Sequence, residues 1–253
     1  SLFVVYAQFM VVSSAYAQQL PGTENGEWRY LGGDAGNTRF SALDQINESN
    51  FAELEQAWIW RSDNFGPNLD YFSRATPIYV NETLYTVATP RRQVIAIDPR
   101  TGENLWTFRE PETIRHQRSP RQAYGKGVAY AEVDGRGVIY ITTPGFFLWA
   151  LDAETGLPLE NWGNAFPVGG YPKTGVIDLV PQLVKDWQPW QDYLVSGGAY
   201  DADYGIPREL GMVTASAPPI VVNGVVVVLV GHQPSYGQTR IENVPGDIMG
   251  FDA

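Results

Sequence analysis

Five cations crowd one short stretch of an acidic chain. Arg109, Arg115, Arg118, Arg121 and Lys126 fall within 18 positions, out of 17 lysines and arginines in 253 residues of formal net charge −11. Such a group either forms a solvated basic loop or gathers around a small polyanion, since cations and hydroxyls are the donors that answer carboxylates. The acidic balance argues against nucleic acid, whose phosphates need a basic face, and a polybasic membrane patch is equally unsupported. There is no cysteine, hence no disulfide, no thiolate metal site and no lipidated cysteine. That absence leaves the compartment open, because oxidising surroundings permit disulfides without requiring them. His116 and His232 are the only histidines, and neither has a neighbouring motif that assigns it a task. Asn47-Glu48-Ser49 and Asn81-Glu82-Thr83 match glycosylation sequons, a pattern frequent by chance.

The elements that must position these groups are short strands. Aromatic residues reach 13%, 26 glycines and 18 prolines supply turns, and long Ala/Leu/Glu-rich helical stretches are lacking. That balance predicts an all-β protein. Internal repetition sharpens it. Ala96-Ile97-Asp98-Pro99-Arg100-Thr101-Gly102-Glu103-Asn104-Leu105-Trp106 recurs as Ala150-Leu151-Asp152-Ala153-Glu154-Thr155-Gly156 with Trp162 following, and Gly250-Phe251-Asp252-Ala253 opens a third copy. A second unit, Ala75-Thr76-Pro77-Ile78-Tyr79-Val80-Asn81, reappears as Ala217-Pro218-Pro219-Ile220-Val221-Val222-Asn223, each time ahead of a β-rich run.

The unit reads as one propeller blade. Two strands meet at Asn81-Glu82 or Asn223-Gly224, where Asn and Gly tolerate the positive φ of a tight hairpin. A third strand runs into Ala-Ile-Asp. Asp98 then starts a type I turn with Pro99 preset at its second position, and Gly102 releases the chain into a fourth strand. Trp106 closes the unit as a flat wedge between neighbours whose N–H needs a partner. Strands, hairpins and closing Trp make a four-stranded blade. Asp98 to Asp152 spans 54 residues and Asp152 to Asp252 spans 100, so about 46 extra residues enter the third unit. They are placed at about 163–212, as a lid near the propeller mouth or as surface decoration. Within them Val176, Val180, Leu183, Val184 and Trp187 have helical spacing that Pro181 limits to a short helix.

At the other end, Leu2-Phe3-Val4-Val5-Tyr6 and Phe9-Met10-Val11-Val12 form an apolar stretch that leads to Ala15-Tyr16-Ala17. An apolar core before an A-x-A site predicts an export signal over residues 1–17, with Gln18 as the mature start; the alternative is a buried strand. The stretch is too short to span a bilayer. The missing basic start and initiator Met imply that the sequence begins inside that signal.

The A-x-D-x-x-T-G-x-x-x-W unit resembles the tryptophan-docking repeat of pyrroloquinoline quinone (PQQ) dependent alcohol and glucose dehydrogenases, which are eight-bladed propellers. Trp28-Arg29-Tyr30-Leu31-Gly32-Gly33-Asp34-Ala35-Gly36-Asn37-Thr38-Arg39-Phe40-Ser41 is similar to that family's opening segment. Gly127-Val128-Ala129-Tyr130 resembles a run in its second blade, and Thr239-Arg240 through Pro245-Gly246-Asp247-Ile248 the run before its third repeat. The resemblance implies an all-β, partial β-propeller over 18–253, about three blades of eight. It implies an enzyme that oxidises an alcohol or sugar hydroxyl in the periplasm, or as a secreted protein, with membrane association through regions outside this chain left open. PQQ takes the hydride, calcium polarises its quinone oxygen, an Asp is the general base, and a quinone or cytochrome accepts the electrons. The general base is expected in later blades, so the 253 residues alone are expected to be inactive.

The same resemblance picks out three cofactor-binding candidates. Lys126, just before Gly127-Val128-Ala129-Tyr130, holds the place of a cofactor-contacting Arg; it keeps the charge but loses the bidentate fork. Ser216, before Ala217-Pro218-Pro219, holds the place of a cofactor-binding Thr. Arg74, before Ala75-Thr76-Pro77, stands where several relatives carry a Glu. Three departures accompany them. No Cys is present to form the vicinal disulfide of many alcohol-oxidising relatives, which points to the glucose-dehydrogenase-like branch or a related one. Ala131 replaces the His that tends to follow Gly-Val-Ala-Tyr there. And Gly231-His232-Gln233-Pro234-Ser235-Tyr236-Gly237-Gln238-Thr239-Arg240 lacks the acidic calcium ligand of that blade, leaving Gln233, Gln238, carbonyls or later blades to bind calcium. The competing reading is a cofactor-free propeller that scaffolds partners, since fold does not fix function.

Overall fold

The computed structural model describes residues 21–65, 73–89, 91–113, 116, 125–165, 174–179, 182, 213–214, 216–229, 231–232 and 247–253. Two four-stranded antiparallel meanders and one three-stranded sheet follow one another along the chain. The first blade is β1 (Ile78–Val80), β2 (Thr83–Ala88), β3 (Gln93–Ile97) and β4 (Asn104–Phe108). The second is β5 (Ala129–Val133), β6 (Arg136–Thr142), β7 (Phe147–Asp152) and β8 (Val176–Asp178). In the third, β10 (Ile220–Val222), β11 (Val225–Leu229) and β13 (Ile248–Asp252) pair in that order, and β9 (Val213–Thr214) pairs with β12 (Gly231–His232).

Turn chemistry sets the blade. Asn81 and Glu82 (φ 47° and 59°), Asp134 and Gly135 (50° and 78°), and Asn223 and Gly224 (50° and 74°) all adopt the doubly positive φ of a two-residue hairpin. At the Asp turns, the Gly102 and Gly156 amides donate to the Asp98 and Asp152 carbonyls, both at 2.8 Å. The Asp98 carboxylate accepts the Arg100 amide (2.8 Å), and that bond leads the interactions that hold its carboxyl below the usual range.

An antiparallel meander has two rims. The β1–β2 hairpin and the Asp turn share the lower one. The β2–β3 turn, the entry into β1 and the exit from β4 share the upper one. At the lower rim the opening segment closes the inner edge of the first blade. Trp28 exchanges two backbone hydrogen bonds with Tyr79, each 2.9 Å, and the Arg29 guanidinium lies 5.4 Å from the Tyr130 ring centroid.

The strands are buried on both faces where two blades meet. Ile139, Ile141, Phe147, Trp149 and Leu151 pack toward the first blade, with Ile78, Val80, Tyr85, Val94 and Phe108. Val138, Tyr140, Leu148 and Ala150 pack toward the third, with Val226 and Val228. All six residues of β7 are therefore buried, and its sequence is a continuous apolar run rather than an alternation. The far side of the third blade is different: Ile220, Val222, Leu229 and Ile248 are 51–69% exposed. That blade face is uncovered.

Each closing Trp docks on the next blade's Asp turn. Trp106 Nε1 donates to the Ala153 carbonyl (2.9 Å), which also accepts the Tyr85 hydroxyl (3.1 Å). Trp162 Nε1 donates to the Asp252 carbonyl (3.0 Å). The sequence reading missed Trp58, which does the same to the Pro99 carbonyl (2.9 Å). The turn glycine makes room for the ring. A Cβ on Gly156 would overlap the Trp106 indole, and one on Gly102 would lie 2.7 Å from Trp58. Gly135 has a similar φ but nothing within 4 Å of a Cβ. Gly135→Ala is therefore expected to cost about 1 kcal/mol, the left-handed backbone alone. Gly156→Ala should cost about 2–3 kcal/mol, because the docked ring must also move. Urea unfolding of both variants measures the difference; equal losses would show that the indole is not seated on the turn.

The fourth strand of the second blade narrows one expectation. Val176 lies in β8, paired with Trp149, while Leu179 and Gln182, inside the span of helical spacing, are helical. At Val176 local spacing gave way to a hydrogen-bonding edge of β7 that needed a partner. The strand comes in two pieces: Pro158 bridges Leu151 and Leu159 N donates to the Ala150 carbonyl (2.9 Å), and β8 then pairs with the same edge of β7. Val180, Leu183, Val184, Trp187 and most of 163–212 lie outside the described residues, as do residues 1–17.

Candidate cofactor site

The inner strands of the three blades begin at the upper rim, and their approaches are tied together by main chain. Thr76 N donates to the Lys126 carbonyl (2.9 Å), and Lys126 N donates to the Ser216 carbonyl (3.0 Å). Arg74 stands two residues before Thr76. The three residues singled out from the sequence thus come from 74, 126 and 216 to one line of inner-strand starts. Arg74 and Lys126 are exposed, and Ser216 is half-buried. Two cations and a hydroxyl at one edge can hold a small molecule bearing several carboxylates.

Lys126 lies at the end of the crossover from β4 to β5, and that crossover is held at its start. Glu110, only 6% exposed, accepts a hydrogen bond from Thr143 Oγ1. It also accepts Trp149 Nε1 at 3.1 Å and Gly145 N at 3.3 Å. All three donors belong to the second blade. Burying a carboxylate costs several kcal/mol unless donors surround it, and here three do. Nearby, Arg91 pairs with Glu112 at 2.8 Å, and Arg92 Nη1 donates to the Thr142 carbonyl (3.2 Å). Thr113 Oγ1 accepts the His116 amide (3.1 Å). His116 is 7% exposed, and its pKa falls to about 4: burial is the first cause, Arg91 the second, with Glu112 opposing and Arg92 adding.

Of the five clustered cations, Arg109 is exposed at the exit from β4, and Arg115, Arg118 and Arg121 lie outside the described residues. Gln233 and Gln238 also lie outside them. Among the described residues no three His, Cys, Asp or Glu side chains gather to hold a metal ion. Those residues do not fit a calcium site. The sequence reading also missed Glu110. Its partners sit 33–39 residues downstream on another blade, and no local pattern marks them.

The comparisons agree with this architecture. The profile of the "Glucose/ethanol/alcohol dehydrogenase, beta-propeller domain" family matches residues 28–253. The glycerol dehydrogenase large subunit of Gluconobacter thailandicus is 29% identical over 93% of this chain and 28% of its own length. The quinohemoprotein alcohol dehydrogenase ADH IIB of Pseudomonas putida is 33% identical over 71% of this chain and 25% of its own. The chain thus spans about a quarter of the length of these curated relatives. Among solved structures, the quinohemoprotein alcohol dehydrogenase of Comamonas testosteroni superposes with a TM-score of 0.57 over 89% of this chain and 25% of that one, at 24% identity, a likeness of fold. With the profile running from the opening Trp28 to the third Asp turn, the chain belongs to the PQQ family of glucose, ethanol and alcohol dehydrogenase β-propeller domains.

Proposed function

We propose that this chain is the amino-terminal part of an exported PQQ-dependent dehydrogenase that oxidises an alcohol or sugar hydroxyl. The observation that carries the reading is the backbone relay from Thr76 through Lys126 to Ser216, which lines up Arg74, Lys126 and Ser216 along one rim. PQQ, when bound, supplies the chemistry by accepting the substrate's hydride. The residues of this chain bind and orient. Lys126 and Arg74 offer charge to the cofactor's carboxylates, and Ser216 offers a hydroxyl donor. The general base belongs to blades beyond residue 253. Residues 1–17 act as the export signal that delivers the protein to the periplasm or outside the cell. One relative is named a butanol dehydrogenase using cytochrome c and another a quinone-dependent quinate/shikimate dehydrogenase. A small alcohol or sugar as substrate and a cytochrome or quinone as acceptor follow the same pattern.

The test is a PQQ titration of the complete gene product that carries this chain. Wild type should bind. Lys126→Met should lose about 1.5–3 kcal/mol, the range for a charge-assisted hydrogen bond, which is about 10- to 150-fold in Kd. Residues 1–253 alone should give no PQQ-dependent dye reduction. A complete protein that ignores PQQ would sink the enzyme reading and leave a cofactor-free scaffold.

A further inference from the structure

We infer that Glu110 is a positioning residue for Lys126, an inference that rests on the PQQ reading above. The connection is physical at each step. Glu110 is fixed by Thr143 Oγ1, Gly145 N and Trp149 Nε1 in the β6–β7 turn and in β7. Gly145 leaves the carboxylate its place, since a Cβ there would lie 2.6 Å from Glu110 Oε1. The residue before Thr143, Thr142 at the end of β6, accepts the Arg92 guanidinium through its carbonyl at 3.2 Å. The stem of Arg92 lies against Gly125, where a Cβ would be 3.0 Å from both Arg92 Cγ and Cδ and 2.9 Å from Val87 Cγ2. Gly125 immediately precedes Lys126, whose own amide and carbonyl are tied to Ser216 and Thr76.

The crossover is thus clamped at both ends, and the two clamps meet at Thr142, Thr143 and Arg92. A cation offered to an anion gains most when its place is set in advance, because binding then spends little on ordering it. Lys126 has four flexible carbons and no fork of its own. Its main chain must supply the aim, and Glu110 fixes the turn next to the Thr142 carbonyl that holds Arg92 beside Gly125. Glu110 has no contact with the cofactor in this scheme. It acts through Arg92 and Gly125.

A double-mutant cycle in the complete gene product tests this, with PQQ Kd, far-UV circular dichroism and melting temperature read together. Glu110→Gln and Thr143→Val should each weaken PQQ binding about tenfold, the scale of a misplaced binding group, with the β spectrum retained. Thr143→Ser, which keeps the hydroxyl, should stay within about twofold of wild type. In a Lys126→Met background, Glu110→Gln should cause no further loss, because the group it positions is gone. If Glu110→Gln fails to fold, Thr143→Val carries the same cycle. Unchanged PQQ affinity in these variants, or an undiminished loss in the Lys126→Met background, overturns the inference while the PQQ reading stands. A wild type that does not bind PQQ removes both.

Discussion

Replacing Trp149 with alanine is expected to cost about 3–5 kcal/mol of unfolding free energy, the largest single-residue loss in the described chain. The side chain has no exposed area. It sits in the middle of β7, paired with Ile141 on one side and Val176 on the other. Its ring meets Phe108 of the first blade at 5.0 Å between centroids and 57° between planes, a tilted packing that adds to the buried area. Its Nε1 also donates to buried Glu110. Alanine therefore opens a cavity between two blades and takes a donor from a buried carboxylate, two losses that compound. Typical domains hold only about 5–15 kcal/mol in total, so much of the margin disappears. Trp149→Phe separates the terms: it keeps most of the volume, loses the N–H, and should cost about 1–3 kcal/mol. Denaturation followed by far-UV circular dichroism reads both. A loss below about 1 kcal/mol for alanine would mean that β7 is not the shared wall of two cores.

How much of this was legible follows the range of each interaction. The turns were readable because their chemistry is local. Asn223-Gly224 and the Asp98-to-Gly102 turn take the conformations their residue types favour, and Asn81 does the same with Glu82 carried into positive φ beside it. The Asp134-Gly135 hairpin carries an equally strong local signal, yet it lies outside the repeated segments and went unremarked. Trp106 and Trp162 were recognisable as wedges since each trails an Asp turn of its own. Trp58 has no such turn before it, so only its partner at Pro99 reveals it. The helical spacing took in Val176, which belongs to a strand, because periodicity counts apolar positions and cannot see the open edge of β7. Glu110 was illegible for the same reason in stronger form, as a carboxylate means nothing until Thr143 and Trp149 arrive from the next blade. The candidate cofactor residues fell between these cases. Arg74, Lys126 and Ser216 were marked by the segments they precede, and only the inter-blade main-chain bonds bring those segments to one rim.

Acid should weaken the same region through His116. Its folded pKa is about 4, against about 6.5 in an unfolded chain. At neutral pH both states carry a neutral ring and the histidine costs nothing. Below about pH 6.5 the unfolded chain takes up a proton that the folded protein refuses until about pH 4. Stability must fall across that window, by about 1.4 kcal/mol per pH unit and about 3 kcal/mol in all, and then level off. The cause is first the burial of the ring and then Arg91, with Arg92 adding a smaller push; Glu112 pulls the other way but is itself paired with Arg91. Carboxylates held low by hydrogen bonds, such as Asp98, lose their contribution only below their ordinary range, so the upper part of the window belongs to the histidine. His116→Gln should therefore flatten the decline in melting temperature between pH 6.5 and 4.5 (~2 pH units inside the window) relative to wild type. Parallel curves for the two proteins would show that the ring is not held neutral. Because the crossover that carries His116 also carries Lys126, loss of PQQ affinity in wild type over the same pH range, absent in His116→Gln, would place the acid-sensitive step in the clamp.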